Sequence, residues 1–167
     1  MAAFESAKIL LAELDLTAYD PATRPDKAEM GDVEKGMQFL GCDISLGFVR
    51  PNRESRNKLH TTIERIFESS IRLMSNPPFL SSEGHSVAET LIEANHVLQG
   101  WGNQYSFCND RGLLKDLDSK IDLLVDYYLQ KYREFSDRYK RAGNPAEQRR
   151  LLGVHLLLDS KFSPVTH

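Results

Sequence analysis

The chain is poor in cysteine and in long apolar runs, and each shortage closes off a class of protein. Only Cys42 and Cys108 carry thiols in 167 residues. Two cysteines make no disulfide framework of the kind that staples small secreted domains. Both stand among apolar or aromatic neighbours and read as reduced core thiols of a cytoplasmic protein. No run of 18 or more apolar residues occurs, which argues against a membrane-spanning helix and a membrane partner. The N-terminus, MAAFESAKILLAELDL, carries acids where a secretory signal needs a basic start and an unbroken apolar stretch. His60, His85, His96 and His155 lack metal-ligand spacing. Cys108 has no histidine beside it in sequence, and Ser81-Ser82 has no nucleophile-elbow pattern. No internal repeat and no low-complexity segment is present.

What is there suits one ordinary domain, or one domain with an appendage. The apolar fraction of 41% is enough for a core. The formal net charge of −3 conceals a segregation. Residues 1–49 come to about −5, 50–72 to about +3, 73–130 to about −5 and 131–150 to about +4. Two basic blocks in an acidic chain point to local phosphate contacts, or to exposed helices charged in uneven blocks.

The periodicity predicts an amphipathic helix over Ala2 to Leu16, broken by Pro21 and Pro25. Lys27 to Gly36 reads as a polar connection. Met37 to Ser45 alternates as a strand, Leu46-Gly47 turns, and Phe48-Val49 returns until Pro51 ends the hairpin. A helix follows to about Ser75, capped by Asn52 or Ser55, with Leu59, Ile63, Ile66, Phe67, Ser70 and Met74 inward. Asn76 to His85 is a loop. Ser86 opens a third helix with Glu89 completing a capping box. Val87, Leu91, Ile92, Asn95 and Leu98 lead to Gly100-Trp101-Gly102, whose glycines would allow close backbone approach, with Tyr105 and Phe107 joining the tryptophan's cluster. A long helix from about Leu113 to Arg141 carries a bundle-facing stripe from Leu114 to Tyr139. Gly143-Asn144-Pro145 stops it. A last helix runs from about Ala146 to Asp159, ahead of a frayed tail over 160–167.

The expected fold is therefore mainly α with a small β-hairpin. Its divisions are a helix-plus-hairpin segment over 1–50, a helical bundle over 51–142, and a C-terminal helix and tail over 143–167. A lone hairpin is marginal in water, so it packs on the bundle or joins a larger sheet from elsewhere.

Several stretches, in order, carry a resemblance. They are LLAELDL at Leu10 to Leu16, QFLG at Gln38 to Gly41 with Phe39 and Leu40, and Gly47 to Pro51 followed by the basic segment Arg53 to Arg72. Next come Leu98, Gly100, Trp101 and Tyr105, then the long helix from Leu117-Asp118 through Tyr128. Over residues 5 to 135 the chain resembles the C-terminal half of bacterial group II intron-type reverse transcriptases: the end of the palm, the helical thumb and the maturase region. It departs at Asp15, where the family commonly has glycine. The family's "N-P-x-K-T" pattern survives only loosely at Asp20 to Arg24.

The resemblance implies an RNA-gripping part of an RNA-directed DNA polymerase without the polymerase's catalytic aspartates. No "A-D-D" turn occurs here, and the acids are scattered where two-metal chemistry needs them clustered. The family's magnesium site is thus absent, and no cofactor is expected on this chain. Met1 falls where a family member would be mid-domain, which favours a truncated chain over a split partner or an isolated domain, with the missing N-terminal polymerase segment as an expected partner. The expected ligand is structured RNA or an RNA–DNA duplex, held by its backbone. Arg50, Arg53, Arg56, Lys58, Arg65 and Arg72 would supply charge, and Asn57 and Thr61 neutral donors. A second cationic surface would come from Arg138, Lys140, Arg141, Arg149 and Arg150. Phe39, Leu40, Gly41, Pro51, Gly100, Trp101 and Tyr105 are expected to be structural, with the Trp101 ring buried between the helices or, as the alternative, stacked on an exposed RNA base. The competing expectation is a stand-alone helical module that binds proteins and catalyses nothing.

Overall fold

A computed structural model describes residues 2–20, 22–24, 33–75 and 86–157. The connection over 25–32, the loop over 76–85 and the tail over 160–167 lie outside the described residues, as do Pro21 and Pro25. The order is α1 (Ala2–Ala12), a single 3-10 turn (Val33–Lys35), β1 (Met37–Phe39), β2 (Cys42–Ser45), β3 (Phe48–Pro51), α2 (Arg53–Met74), α3 (Val87–Gln104), α4 (Arg111–Arg141) and α5 (Pro145–Leu152). The expected class, mainly helical with a small antiparallel element, is what the chain adopts.

The sheet has one strand more than the expected hairpin, in the order β1-β2-β3, antiparallel throughout. The stretch read as one strand folds back at Leu40-Gly41, where Phe39 pairs with Cys42. Both turn residues have positive φ, 45° and 78°. A two-residue hairpin whose turn matches strand twist requires that. Glycine inside an alternating run is the signal for such a break. Gly41 could not be replaced freely: a Cβ there would sit 2.9 Å from the Tyr105 hydroxyl and 3.0 Å from Ser55 Oγ.

Asn109 closes the far edge of the sheet. The Val49 N–H donates to its Oδ1 at 2.8 Å, and its own N–H donates to the Val49 carbonyl at 2.9 Å. Its Nδ2 donates to the Gly47 carbonyl at 3.0 Å. One asparagine thus does the work of a strand, satisfying groups an edge leaves open. Cys42 and Cys108 are buried beside Tyr105, with Ile44, Val49 and Trp101 against them, so the sheet packs on the end of α3.

The bundle core is α2 against α3 and α4. All six positions expected to face inward on α2 are buried. Phe67 stacks on Tyr128 at 4.7 Å between ring centres. The Tyr128 and Ser70 hydroxyls lie 2.9 Å apart, and Thr90 reaches Ser70 at 3.0 Å and the Ser86 carbonyl at 2.9 Å. Buried hydroxyls are therefore paired. On α4, Leu117, Ile121, Tyr128, Phe135 and Tyr139 are buried as the stripe required. The Ser86–Glu89 capping box forms, and Asn52 caps α2 by accepting from Ser55 N–H at 2.9 Å.

Four expectations are corrected. Helix α3 runs straight through Gly100-Trp101-Gly102, and a Cβ at either glycine would meet nothing within 4 Å, so neither serves close backbone approach. Phe107 is 62% exposed and stands outside the cluster that Tyr105 and Trp101 share. Helix α1 stops at Ala12 and leaves Ile9, Leu10 and Leu14 exposed. Helix α5 stops at Leu152 because Gly153 adopts φ 84°, the left-handed cap that the longer reading ran through.

Candidate nucleic-acid interface

Helix α2 places its cations by their phase around the axis. Leu59, Ile63 and Phe67 hold one face against the bundle. Arg53, Arg56, Asn57 and His60 fall at i, i+3, i+4 and i+7, along the flank that turns toward α4. There they line one cleft with Leu117 and Lys120 of α4. The cleft holds about 620 Å³, and no carboxylate lines it. Arg53 is exposed and, among the described residues, makes no ion pair or hydrogen bond. Arg56 is half-buried and donates Nε–H to the Asn52 carbonyl at 3.3 Å. His60 has the Glu64 carboxylate 4.0 Å away.

Around the outer face of α2, Asn57, Lys58, Thr61 and Arg65 line a shallower depression. Lys58, Arg65 and Arg72 are exposed and unpaired among the described residues. Arg50 fares differently from the expectation of an open cation. Its guanidinium lies 4.0 Å from Asp43 and 3.7 Å from Asp110, within a ladder where Gln38 also donates to Asp43 at 3.0 Å.

In the second basic block Arg138, Lys140, Arg141 and Arg149 are exposed and Arg150 is half-buried. Arg149 donates to the His155 carbonyl at 2.8 Å, fixing the segment after α5. Arg150 pairs with Glu147 one helical turn away. Arg141 Nε–H donates to the Asp137 carbonyl at 3.2 Å, and Arg138 lies over the Phe135 ring at 5.0 Å.

The motif residues divide similarly. Tyr105 is buried, and its hydroxyl donates to Ser55 Oγ at 2.8 Å, which in turn donates to the Gly41 carbonyl at 3.1 Å. This chain ties the first hairpin turn to α2 and α3. Pro51 is fully buried, whereas Phe39 and Leu40 are 57% and 79% exposed. Trp101 is half-buried, with its ring 4.6 Å from that of Tyr105.

Lys120 and His60 were not among the sequence candidates. His60 could have been found from its seven-residue offset to Arg53. Lys120 could not, because only packing brings α4 alongside. Among the described residues, no group of three or more histidines, cysteines or acids could hold a metal, and no helix is long and apolar enough to cross a membrane. Burial beside the Cys42 thiol pushes Cys108 up to about 11. That suits a protonated core thiol and not a nucleophile. No protein-family model, curated protein or solved structure matches the chain.

Proposed function

We propose that this chain binds the sugar–phosphate backbone of structured RNA or an RNA–DNA duplex. In this reading it is the palm end, thumb and maturase-like part of a group II intron-type reverse transcriptase, working in the cytoplasm. It has no catalytic site or cofactor of its own and presents RNA to a polymerase active site on another segment. One observation carries the proposal. In an acidic chain, Arg53, Arg56, His60 and Lys120 converge on one cleft without a carboxylate in its lining. The guanidiniums of Arg53 and Arg56 and the ammonium of Lys120 repel one another there, and a phosphodiester would offset that repulsion. Two packed helices also give the stiffness that backbone gripping needs.

The test is anisotropy of labelled RNA duplex and RNA–DNA hybrid at 50 and 200 mM salt. Three or four phosphate contacts should weaken binding roughly 40- to 150-fold over that range. Joint reversal, Arg53→Glu with Arg56→Glu, should abolish that binding and leave the circular dichroism unchanged. Salt-insensitive binding, or none at 50 mM, refutes the proposal.

A protein-binding reading has its own support. Ile9, Leu10, Leu14 and Leu16 are 55–69% exposed on and just after α1, and β1 has no strand on its outer edge among the described residues. Such a surface suits contact with the rest of a polymerase, or with an unrelated partner if RNA binding fails.

A further inference from the structure

On the other side of α2 from the cationic cleft lies a second groove, of about 460 Å³, between α2, α3 and the first hairpin turn. Trp101 and Tyr105 form its aromatic wall, 4.6 Å between ring centres and tilted by 44°. Glu54, Lys58, Thr62 and Gln104 bring a carboxylate, an ammonium, a hydroxyl and an amide to its rim. The indole N–H of Trp101 is shut off from solvent and has no hydrogen-bond partner. A buried donor without an acceptor is a cost that native structures rarely carry unexplained.

The depressions around α2 are continuous. The cationic cleft shares Asn57 with the shallow depression on the outer face. That depression shares Glu54, Lys58 and Thr62 with the aromatic groove. Half the girth of a helix with its side chains is roughly 15–19 Å. A strand anchored by phosphate at Arg53 and Arg56 would cross Asn57, Thr61 and Lys58 and arrive at Trp101.

We infer that the groove is a slot for one unpaired nucleobase, so that the chain grips a junction between duplex and single strand and not a duplex alone. The inference rests on the nucleic-acid reading above. A flat base offers a face for the aromatic wall, and its edge offers donors and acceptors to Glu54 and Gln104. An apolar ligand would leave these polar groups stranded, so the lining favours a base over an aliphatic side chain.

Trp101 is the sole tryptophan, so tryptophan emission, excited selectively over that of the tyrosines, reports on this groove alone. The full chain is titrated with a duplex carrying a single-stranded RNA overhang, and with the same duplex whose overhang is abasic. The two probes carry equal charge. The slot requires that the base-bearing overhang quench the emission and bind about tenfold tighter, and that Gln104→Ala reduce that preference. Equal affinity with unchanged emission for both probes overturns the slot, while salt-sensitive binding of both leaves the backbone reading standing. If neither probe binds, the backbone reading falls, and adenosine and uridine at millimolar concentration decide the groove separately. Quenching by either nucleoside upholds the slot, and silence from both overturns it.

Discussion

Replacing both glycines that flank Trp101 with alanine should make the protein more stable. Gly100 and Gly102 lie inside α3, both are exposed, and a Cβ at either would meet nothing within 4 Å. Alanine then gains only the backbone entropy that glycine loses on folding, about 0.5–1 kcal/mol at an interior helical position. Gly102 sits in the last turn, where less is gained. The pair should contribute about 1–1.5 kcal/mol. For a chain of 167 residues that is roughly 2–6 °C in Tm. Urea melts followed by circular dichroism give the free energy at unchanged slope. Gly41→Ala is the contrasting control. There φ is 78° and the Cβ would crowd Tyr105 and Ser55, so a loss of about 2 kcal/mol is expected. If the double variant is destabilised instead, the two glycines meet backbone in solution, and α3 does not run on as described.

Alkaline pH should weaken the fold. Burial raises Cys108 from 9.0 to about 11, so the folded chain keeps a proton that the unfolded chain releases, and stability falls as pH rises from 9 to 11. Burial raises Tyr128 and Tyr139 too, which steepens the fall above pH 10; a Cys108→Ala chain whose urea midpoint drops as steeply between pH 9 and 10 would clear the thiol of any part. Asn109→Ala removes two side-chain hydrogen bonds from the sheet edge and should cost about 1–2 kcal/mol, with faster hydrogen exchange at the Val49 amide. Arg53→Glu alone should stabilise the fold by about 0.3–1 kcal/mol while weakening RNA binding, measured by melting and anisotropy on the same sample.

Legibility followed the length and regularity of each element. Helix α2 was readable to its six buried positions because 22 residues repeat one amphipathic pattern behind an Asn52 cap. The Ser86–Glu89 box was readable for a similar reason: it is chemistry confined to four residues. Strand breaks were harder. Met37 to Ser45 alternates well enough to hide the reversal at Leu40-Gly41. Gly100 and Gly102 suggested a special backbone, yet α3 absorbs both because a glycine in a helix costs only about 1 kcal/mol. Sequence could show where cations cluster but not which find partners. Arg149 and Arg150 have structural partners, whereas Arg53 on an equally basic stretch has none among the described residues. The lock made by Asn109 was invisible, because it joins segments about 60 residues apart.

The placement of Arg53 makes stability and binding separable. It is the first residue of α2, where the helix dipole disfavours a cation and favours a carboxylate. Glu54 and the Asn52 cap already supply what stability asks of that turn. Arg53 adds positive charge against the local preference and finds no acid. Folding alone gives a cation no reason to stand there, whereas a bound phosphate gives it one, since dipole and guanidinium then act on the same anion. A surface arginine without purpose would let the fold improve on reversal and leave RNA affinity untouched. An arginine that holds the backbone must improve the fold and lose the RNA together, and only that joint result sustains the proposal.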